Sequence, residues 1–440
     1  MPISRVSNCT LNKTIFLWGD TVISVEALQA IITADIRQLQ ADRAKHSTDK
    51  ATESVELLSS LGRVLGRPVV SAIDIPPAAV SAMDGYGLCS NGKTLTVDTE
   101  WLCIGESVAG KPFNGQCRTG QCVRMMTGAV VPDGVDTVVI QENTRYVGNA
   151  DSDRPVIALT RAQKQGANIR YQGEEVSQGE TVLPQGHIIS ANDIPLLASL
   201  SYCRIAVYPK LRIGIFSTGD ELCEPGSTLS TGKIYDSNRP TIKALLQSRP
   251  VITNDYGIVK DDLDSIKATL TQAARENDII VTSGGVSVGD YDFLKGAVSE
   301  LGEIVHYKVA IKPGKPFVYG RINQARYFGL PGNPLAVVIS SMLFLIPAIY
   351  QYLTDAPAVL QFYGTLQNAI RRKTGRAELQ RGFAHQNEGG EWLVRTDCSQ
   401  DSHRVHQLSM ANVLLFLPAN VGELGIGDSV KLLPLSGRFI

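Results

Sequence analysis

Three acidic residues stand where short apolar segments give way to loops. Glu221 ends the run Ser217–Glu221, Asp236 lies in KIYDSNR, and Asp292 closes TSGGVSVGDYD. Magnesium is usually bound by one or two carboxylates together with substrate phosphates. The residue types therefore predict that Glu221, Asp236 and Asp292 hold a hard divalent cation beside a phosphate-bearing ligand. Taken alone, Asp236 would more commonly be a helix cap, as aspartates before helices are.

The TSGGVSVG segment has the composition of an anion-binding loop. Two adjacent glycines allow a tight turn in which successive N–H groups point at a phosphate, and serines add hydroxyl donors. Such a segment alone is more often a plain turn. The residues predicted to contact the ligand here and at the neighbouring strand end are Thr218, Gly219, Ser283, Gly284, Gly285 and Ser287.

Basic residues and a proline-rich turn complete the set. KVAIKPGKP supplies Lys308, Lys312 and Lys315, whose ammonium groups offer point charges for an oxyanion. GLPGNP, which spans 329–334, precedes an apolar helix. Each lysine alone would be ordinary solvated surface, and GLPGNP alone would be a rigid turn before a helix. Their convergence at strand ends favours a site over these separate readings.

Residues 211–353 alternate between strand-like and helix-like patterns, which predicts a doubly wound, mostly parallel sheet. Ligands of such sheets bind at the carboxyl ends of the strands. The predicted strands are 211–217, 252–259, 278–285, 303–311 and 326–330. The predicted helices are 239–247, 264–275, 291–301 and a long helix from Pro334.

The flanking regions have other textures. Residues 24–65 read as helical, with a polar loop between helices at 40–52. Short β-like runs separated by glycine and proline follow to about residue 150, and 181–200 read as a strand and a short helix. The chain after Thr354 suits a small β barrel. The apolar run Pro334–Leu353 is long enough to span a membrane, but its internal polar residues favour a buried helix.

The composition describes a soluble protein of several domains. The chain has 440 residues, is 43% hydrophobic and has a formal charge of -1, which gives no basic bias toward nucleic acid. Its eight cysteines form no CxxC pair, so free thiols are expected. No secretory signal pattern or membrane flank stands out, so a cytoplasmic location is expected.

Eight motifs, in order, resemble the molybdopterin molybdenumtransferases, the MoeA-like family to which the C-terminal domain of gephyrin belongs. They are SAMDGYG, MTGAVVP with VVIQE, NIRYQGEE, STGDEL, IYDSNR, TSGGVSVGDYD, IKPGKPF and GLPGNP. The resemblance implies an elongated N-terminal domain (21–75 with 151–206), an inserted β domain (76–150), a molybdopterin-binding α/β domain (207–354) and a C-terminal β barrel (355–440). It also implies a homodimer with active sites shared between subunits.

The family reaction inserts molybdenum from molybdate into adenylylated molybdopterin, with Mg²⁺-dependent release of AMP. The resemblance implies catalytic roles for Asp84, Glu221, Asp236, Asp292, Lys308 and Lys312. It implies substrate contacts from Thr127, Glu175, Pro331, Pro334 and Ser409. Asp84 and Thr127 would face the site from the partner subunit. Molybdopterin adenylyltransferase and molybdoenzyme maturation factors would be partners.

The chain departs from the family pattern in three places. Ala78-Ala79-Val80 replace a usual Phe-Asp-Asn, Glu175 replaces an aspartate, and 407–412 replace a serine-rich run. Two other functions are compatible with the motifs. A molybdopterin adenylyltransferase shares the TSGGVSVG-type domain but lacks the inserted β domain and the barrel. A non-catalytic pterin-binding scaffold would use the same fold without turnover.

Overall fold

The computed structural model describes residues 22–46, 52–92, 94–285, 293–354, 361–396, 399–402 and 404–435. Contacts between residues divide the chain into two compact units. The first unit contains the chain up to Val55, Ser60–Gly66 and everything from Ala206 onward. The second contains Glu56–Ser59 and Arg67–Ile205. The four domain ranges implied by the family resemblance stay predictions.

Helix α1 runs over Val25–His46 and is followed by a short strand, β1 (Glu53–Glu56). The prediction of a loop over 40–52 between two helices was therefore wrong about the start of the loop and about the element that follows it. The helix continues to His46 because this stretch, although polar, is rich in the strong helix formers Ala, Arg and Lys. The segment after it forms a strand and a single 3₁₀ turn at Leu58–Ser60 in place of a second helix.

The second unit is built on β structure. Its strands are β2 (Val69–Val70), β3 (Val80–Ser81), β4 (Gly85–Leu88), β5 (Glu100–Ser107), β6 (Gln121–Met125), β7 (Thr137–Ile140), β8 (Thr144–Val147), β9 (Val156–Leu159), β10 (Ile169–Arg170) and β11 (Thr181–Leu183). Six of them form one sheet in the order β7-β4-β6-β5-β9-β8 around a core that includes Trp101 and Val139. Helix α2 (Ile194–Ser199) follows, and β12 (Arg204–Val207) crosses the unit boundary.

The first unit contains the alternating α/β layer. Its elements are β13 (Leu211–Thr218), β14 (Leu222–Cys223), β15 (Ile234–Tyr235), α3 (Asn238–Leu246), β16 (Val251–Val259), α4 (Leu263–Glu276), β17 (Ile279–Ser283), α5 (Phe293–Leu301), β18 (Gly302–Tyr307), β19 (Ile311–Lys312), β20 (Val318–Ile322), β21 (Ala325–Leu330), α6 (Pro334–Ser340) and α7 (Ile346–Leu353). The sheet order is β16-β13-β17-β21-β20-β18, parallel from β16 to β21 and antiparallel beyond. The doubly wound prediction is confirmed, because α3 contacts α6 while α4 packs with α5 on a separate core.

The apolar run Pro334–Leu353 is one long helical segment, with a π-helical turn at Ser341–Leu345 between α6 and α7. Its length and mean hydropathy of 1.8 would allow it to cross a membrane, but 78% of it is buried inside the protein. Helix α1 lies alongside, where Gln29 Nε2 donates to the Leu343 carbonyl and Gln40 Nε2 to the Tyr352 carbonyl. Burial in the core accounts for its apolar sequence.

The C-terminal region closes into a β barrel, as predicted. The strands are β22 (Phe362–Leu366), β23 (Ile370–Arg371), β24 (Ala377–Gln386), β25 (Trp392–Arg395), β26 (Val413–Leu417), β27 (Glu423–Leu424) and β28 (Ser429–Pro434), with α8 (Val405–Met410) before β26. The ring β24-β25-β22-β28-β26 closes because β26 also pairs with β24. The strand predicted over 303–311 was too long: β18 ends at Tyr307, and Ile311–Lys312 pairs with β24 instead.

Candidate active site

The ends of five strands share one edge of the α/β sheet. Ser217 of β13 lies beside Ser283 of β17, which lies beside Leu330 of β21. The antiparallel strands bring the start of β20 and the end of β18 to the same edge, because Val318 pairs with Gly329 and with Tyr307. The row spans four strand spacings, or about 19 Å. The predicted convergence of TGDEL, TSGG, GLPGNP and the lysine segment at this edge is therefore observed.

The glycine turn after β17 is tight. Gly284 has φ +89°, and a Cβ there would lie 2.3 Å from the Thr218 carbonyl oxygen, so only glycine fits. Gly285 follows with φ +63°. The Thr218 hydroxyl, predicted to contact a ligand, donates to Asp261 Oδ1 at 3.0 Å. Ser287 and Asp292 lie outside the described residues, so their predicted roles stay predictions.

Asn238, the first residue of α3, connects two of these loops. Its Nδ2 donates to Ser283 Oγ at 2.8 Å and to the Gly332 carbonyl at 2.7 Å. The Ser283 hydroxyl in turn donates a hydrogen bond to the Pro331 carbonyl at 3.4 Å. Pro334 begins α6, where the Asn333 side chain accepts from the Leu335 and Ala336 amides. The GLPGNP turn and the end of β17 are thereby fastened to α3.

Asp236 is a buried helix cap in this fold. Its Oδ1 accepts from the amides of Asn238 and Arg239 at 3.1 Å each, and its Oδ2 accepts from Arg239 Nε at 3.1 Å. Arg239 also binds Asp255 and Glu224. Burial alone would lower the pKa of Arg239, but these carboxylates raise it. A permanently charged guanidinium against Asp236 disfavours a second cation at that carboxylate.

Of the predicted metal ligands that the structure describes, Glu221 suits a cation better than Asp236. Glu221 is exposed, and both of its carboxylate oxygens lie 2.8 Å from where a Cβ on Gly219 would stand, so its side chain folds back over Gly219. Within the described ranges, no group of three or more His, Cys, Asp or Glu side chains could hold a metal ion. Glu221 with substrate phosphates fits the usual magnesium pattern, whereas Asp236 does not.

The lysines occupy the β18–β20 connection. Lys308 has φ +81°, unusual for a residue with a side chain, and its Nζ lies 5.4 Å from the centre of the Tyr307 ring. Lys295 Nζ of α5 lies 4.7 Å from the same ring. Lys312 pairs with Glu378 of the barrel at 3.1 Å, while Lys315 is exposed. Basic charge therefore collects at the β18 end of the sheet edge.

The second unit brings two predicted residues together by itself. Asp84 Oδ1 accepts from the Thr127 amide at 2.7 Å and from the Thr127 hydroxyl at 2.8 Å. These two bonds, helped by the charge of Arg124, hold the pKa of the Asp84 carboxyl below its usual range. Arg124 is itself oriented by Gln141 and the Tyr86 ring. Asp84 and Thr127 thus form an exposed, hydrogen-bonded pair in which the Asp84 carboxyl is ionised.

Two other predicted residues make local contacts. Glu175 is exposed, and its amide donates to the Ile75 carbonyl beside the isolated bridge between Ile75 and Val176. Ser409 is exposed on α8, where its hydroxyl donates to the His406 carbonyl.

Sequence reasoning gave Asn238 no role, and it missed the contacts that Arg239 and Glu378 make with this edge. IYDSNR contains the first two, but only the fold shows that the amide reaches across to β17 and to the turn before α6. Glu378 lies 66 residues beyond Lys312, and no local pattern links them.

The order of elements defines a multidomain protein whose α/β layer has its ligand edge at the strand ends. Residues 23–201 match the MoeA N-terminal region (domain I and II), residues 214–351 match a probable molybdopterin binding domain, and residues 363–435 match the MoeA C-terminal region (domain IV). The fold resembles the crystal structure of the molybdopterin biosynthesis moeA protein from Pyrococcus horikoshii OT3, with a TM-score of 0.79 at 26% identity, covering 94% of this chain and 100% of that one.

Named relatives agree with these matches. The molybdopterin molybdenumtransferase of Haemophilus influenzae is 34% identical over 88% of this chain and 94% of its own length. That of a Nostoc species is 36% identical over 69% of this chain and 70% of its own length. The chain belongs to the molybdopterin molybdenumtransferase family, and it is an enzyme of molybdenum cofactor biosynthesis.

Proposed function

We propose that the protein inserts molybdenum from molybdate into adenylylated molybdopterin and releases AMP. The observation that supports this most is the sheet edge, where the glycine turn, Glu221 and the lysine segment line one row of strand ends. An elongated ligand with a phosphate at one part and an acidic diphosphate at another suits an edge about 19 Å long.

The chain's own groups would work by position and charge. The Gly284–Gly285 turn presents backbone N–H groups toward a phosphate, and Lys308, Lys312 and Lys315 attract the molybdate dianion and the terminal pterin phosphate. Fixed donors of this kind stabilise charge that develops at oxygen without reorganising during the reaction. No protein nucleophile is required, since water or a molybdate oxygen attacks the adenylate.

Magnesium dependence is part of the same proposal. Glu221 would hold the ion together with diphosphate oxygens of the substrate, and Asp292 is the second carboxylate that the sequence predicts. When bound, the ion would neutralise diphosphate charge. Asp236 would act beside it as the cap of α3, held by Arg239.

The assembly we propose is a cytoplasmic homodimer that receives its substrate from a molybdopterin adenylyltransferase and passes product to molybdoenzyme maturation factors. Asp84 and Thr127 of the partner subunit would complete each site, and Glu175 would join them. The exposed pair of Asp84 and Thr127 suits contact with a ligand that is bound at the sheet edge of the other subunit. Pro331, Pro334 and Ser409 would shape the wall of the pocket.

Activation of a cofactor-free molybdoenzyme tests this proposal against a binding-only scaffold. Purified protein, adenylylated molybdopterin, molybdate and Mg²⁺ should restore activity to the apoenzyme. Asp84→Ala and Asp292→Ala should abolish the restoration while Asp153→Ala, an exposed residue of the second unit, leaves it intact. Failure of the wild-type protein to restore activity would favour the scaffold, and full activity of both site variants would show that these carboxylates are not needed for the reaction.

A further inference from the structure

The contacts of Asn238 exceed those of an ordinary first residue of a helix. Its amide is buried, with 9% of the residue exposed, and its Nδ2 bridges Ser283 Oγ and the Gly332 carbonyl. One acceptor is on the last residue of β17 and the other is in the loop before α6. One side chain on a third element therefore binds both.

The orientation of this amide is determined by its partners. The Gly332 carbonyl can only accept, so the nitrogen must face it, and a flipped amide would oppose two oxygens. The Asp236 carboxylate holds the Asn238 backbone from the other side, through its amide at 3.1 Å. The cap residue therefore positions the amide, and the amide positions the loops.

Two buried polar atoms at this place lack hydrogen-bond partners among the described residues. They are Asn238 Oδ1 and Ser217 Oγ, and Ser217 lies beside Ser283 in the sheet. Unsatisfied buried polar groups are few in native proteins, and they concentrate where function sets the geometry.

We propose that Asn238 is a positioning residue for the ligand edge. By fastening Ser283 and Gly332 to the start of α3, it would hold the Ser283–Gly285 turn in the conformation that receives a phosphate of the substrate. This inference rests on the proposed function, because it takes the edge to be the pterin site. It assigns Asn238 no contact with the reacting atoms.

Titration with metal-free molybdopterin under anaerobic conditions tests the inference by calorimetry, with the unfolding midpoint of each variant measured in parallel. Asn238→Ala should weaken binding by about tenfold or more, since two hydrogen bonds that shape the site are lost. Asn238→Asp keeps the size of the side chain but loses both N–H groups, so it should weaken binding at least as much. If the alanine variant does not fold, the affinity of the Asn238→Asp variant for molybdopterin provides the test.

Asn254→Ala is the matched control. Asn254 is half-buried on β16, away from the strand ends, and its Nδ2 donates to Asn277 Oδ1 at 2.8 Å. The Asn254→Ala variant should have a lower unfolding midpoint than the wild type but the same affinity for molybdopterin. If Asn238 variants bind like the wild type while losing stability, the amide is merely structural and the inference is overturned. If the wild type itself binds no molybdopterin, the proposed function fails and this inference fails with it.

Discussion

At the scale of single residues, Thr127 lowers the pKa of Asp84 in the second unit. Two hydrogen bonds from one threonine, through its amide first and its hydroxyl second, lower the pKa of the carboxyl. Because the pKa of Asp84 is lowered in the folded state, the stability that its two hydrogen bonds contribute is fully present above the ordinary pKa of a carboxyl group. That stability is lost only as the pH falls through the lowered pKa.

Thr127→Val should raise the pKa of Asp84 part of the way to its usual value, because the hydroxyl bond goes while the amide bond remains. The measurement is a pH titration of the Asp84 carboxyl carbon by NMR. Thr144→Val is the control, since its hydroxyl donates only to the Gln141 carbonyl of the same unit. An unchanged Asp84 pKa in Thr127→Val would show that the hydroxyl does not stabilise the carboxylate.

Gly284→Ala should destabilise the protein by about 3 kcal/mol or more, since strain at positive φ adds to a close approach to backbone. The added Cβ would lie 2.3 Å from the Thr218 carbonyl oxygen. Gly232→Ala is the matched control because its φ is +81° and nothing lies within 4 Å, so it should cost about 1–2 kcal/mol. Urea unfolding compares the two, and equal losses would refute the steric explanation.

At the scale of elements, α1 is fastened to the α/β sheet by a buried charge cluster. Asp35 binds Tyr319, Arg321 and Arg326 on β20 and β21, with Arg326 Nε at 2.6 Å. Burial alone would raise the pKa of Asp35, but the Tyr319 hydrogen bond and the charge of Arg326 outweigh it and lower the pKa. The stability from this cluster is therefore present at neutral pH and is lost as the pH falls through that lowered pKa.

Asp35→Ala should cost about 3–5 kcal/mol of unfolding free energy, because it leaves the buried Arg326 without its partner. Arg37→Ala, an exposed change on the same helix, should cost little. Chemical denaturation at pH 7 compares them. Similar small losses in both variants would show that the helix is held by its apolar contacts alone.

Elements with a strong period were predictable from the sequence, and contacts that depend on distant segments were not. The alternating pattern located β13, α3, α4 and β17 to within a few residues, because the two strands are buried along nearly their whole length and each helix buries one face. The end of β18 was missed because Lys308 adopts φ +81° and the next residues pair with the barrel strand β24. No local propensity encodes that partner.

The candidate site divides in the same way. Motif order located the strand-end residues, but it could not show that Asp236 faces Arg239, that Thr218 is bound to Asp261 or that Lys312 is paired with Glu378. Each of these partners lies on another element or another turn of the chain. Among the predicted metal-binding carboxylates that the structure describes, Glu221 is exposed while Asp236 is paired with Arg239, and the bridging amide is Asn238.

At the scale of the whole molecule, the proposed sharing of each site between two subunits leads to a specific expectation for mixed dimers. Asp84→Asn and Glu221→Gln should each inactivate a homodimer. After subunit exchange, about a quarter of the sites should regain both residues, because half of the dimers are mixed and each has one intact site. No recovery, with exchange verified by mass spectrometry, would place Asp84 and Glu221 in the same subunit's site.

The most direct measurement is AMP release from adenylylated molybdopterin in the presence of molybdate and Mg²⁺, followed by chromatography over time. We expect stoichiometric AMP that depends on molybdate, slowed by about a hundredfold or more in Glu221→Gln, since fixed charges at the diphosphate supply much of the rate. Asp153→Ala should release AMP at the wild-type rate. Absence of AMP release by the wild type, with bound substrate demonstrated, would contradict the proposed reaction.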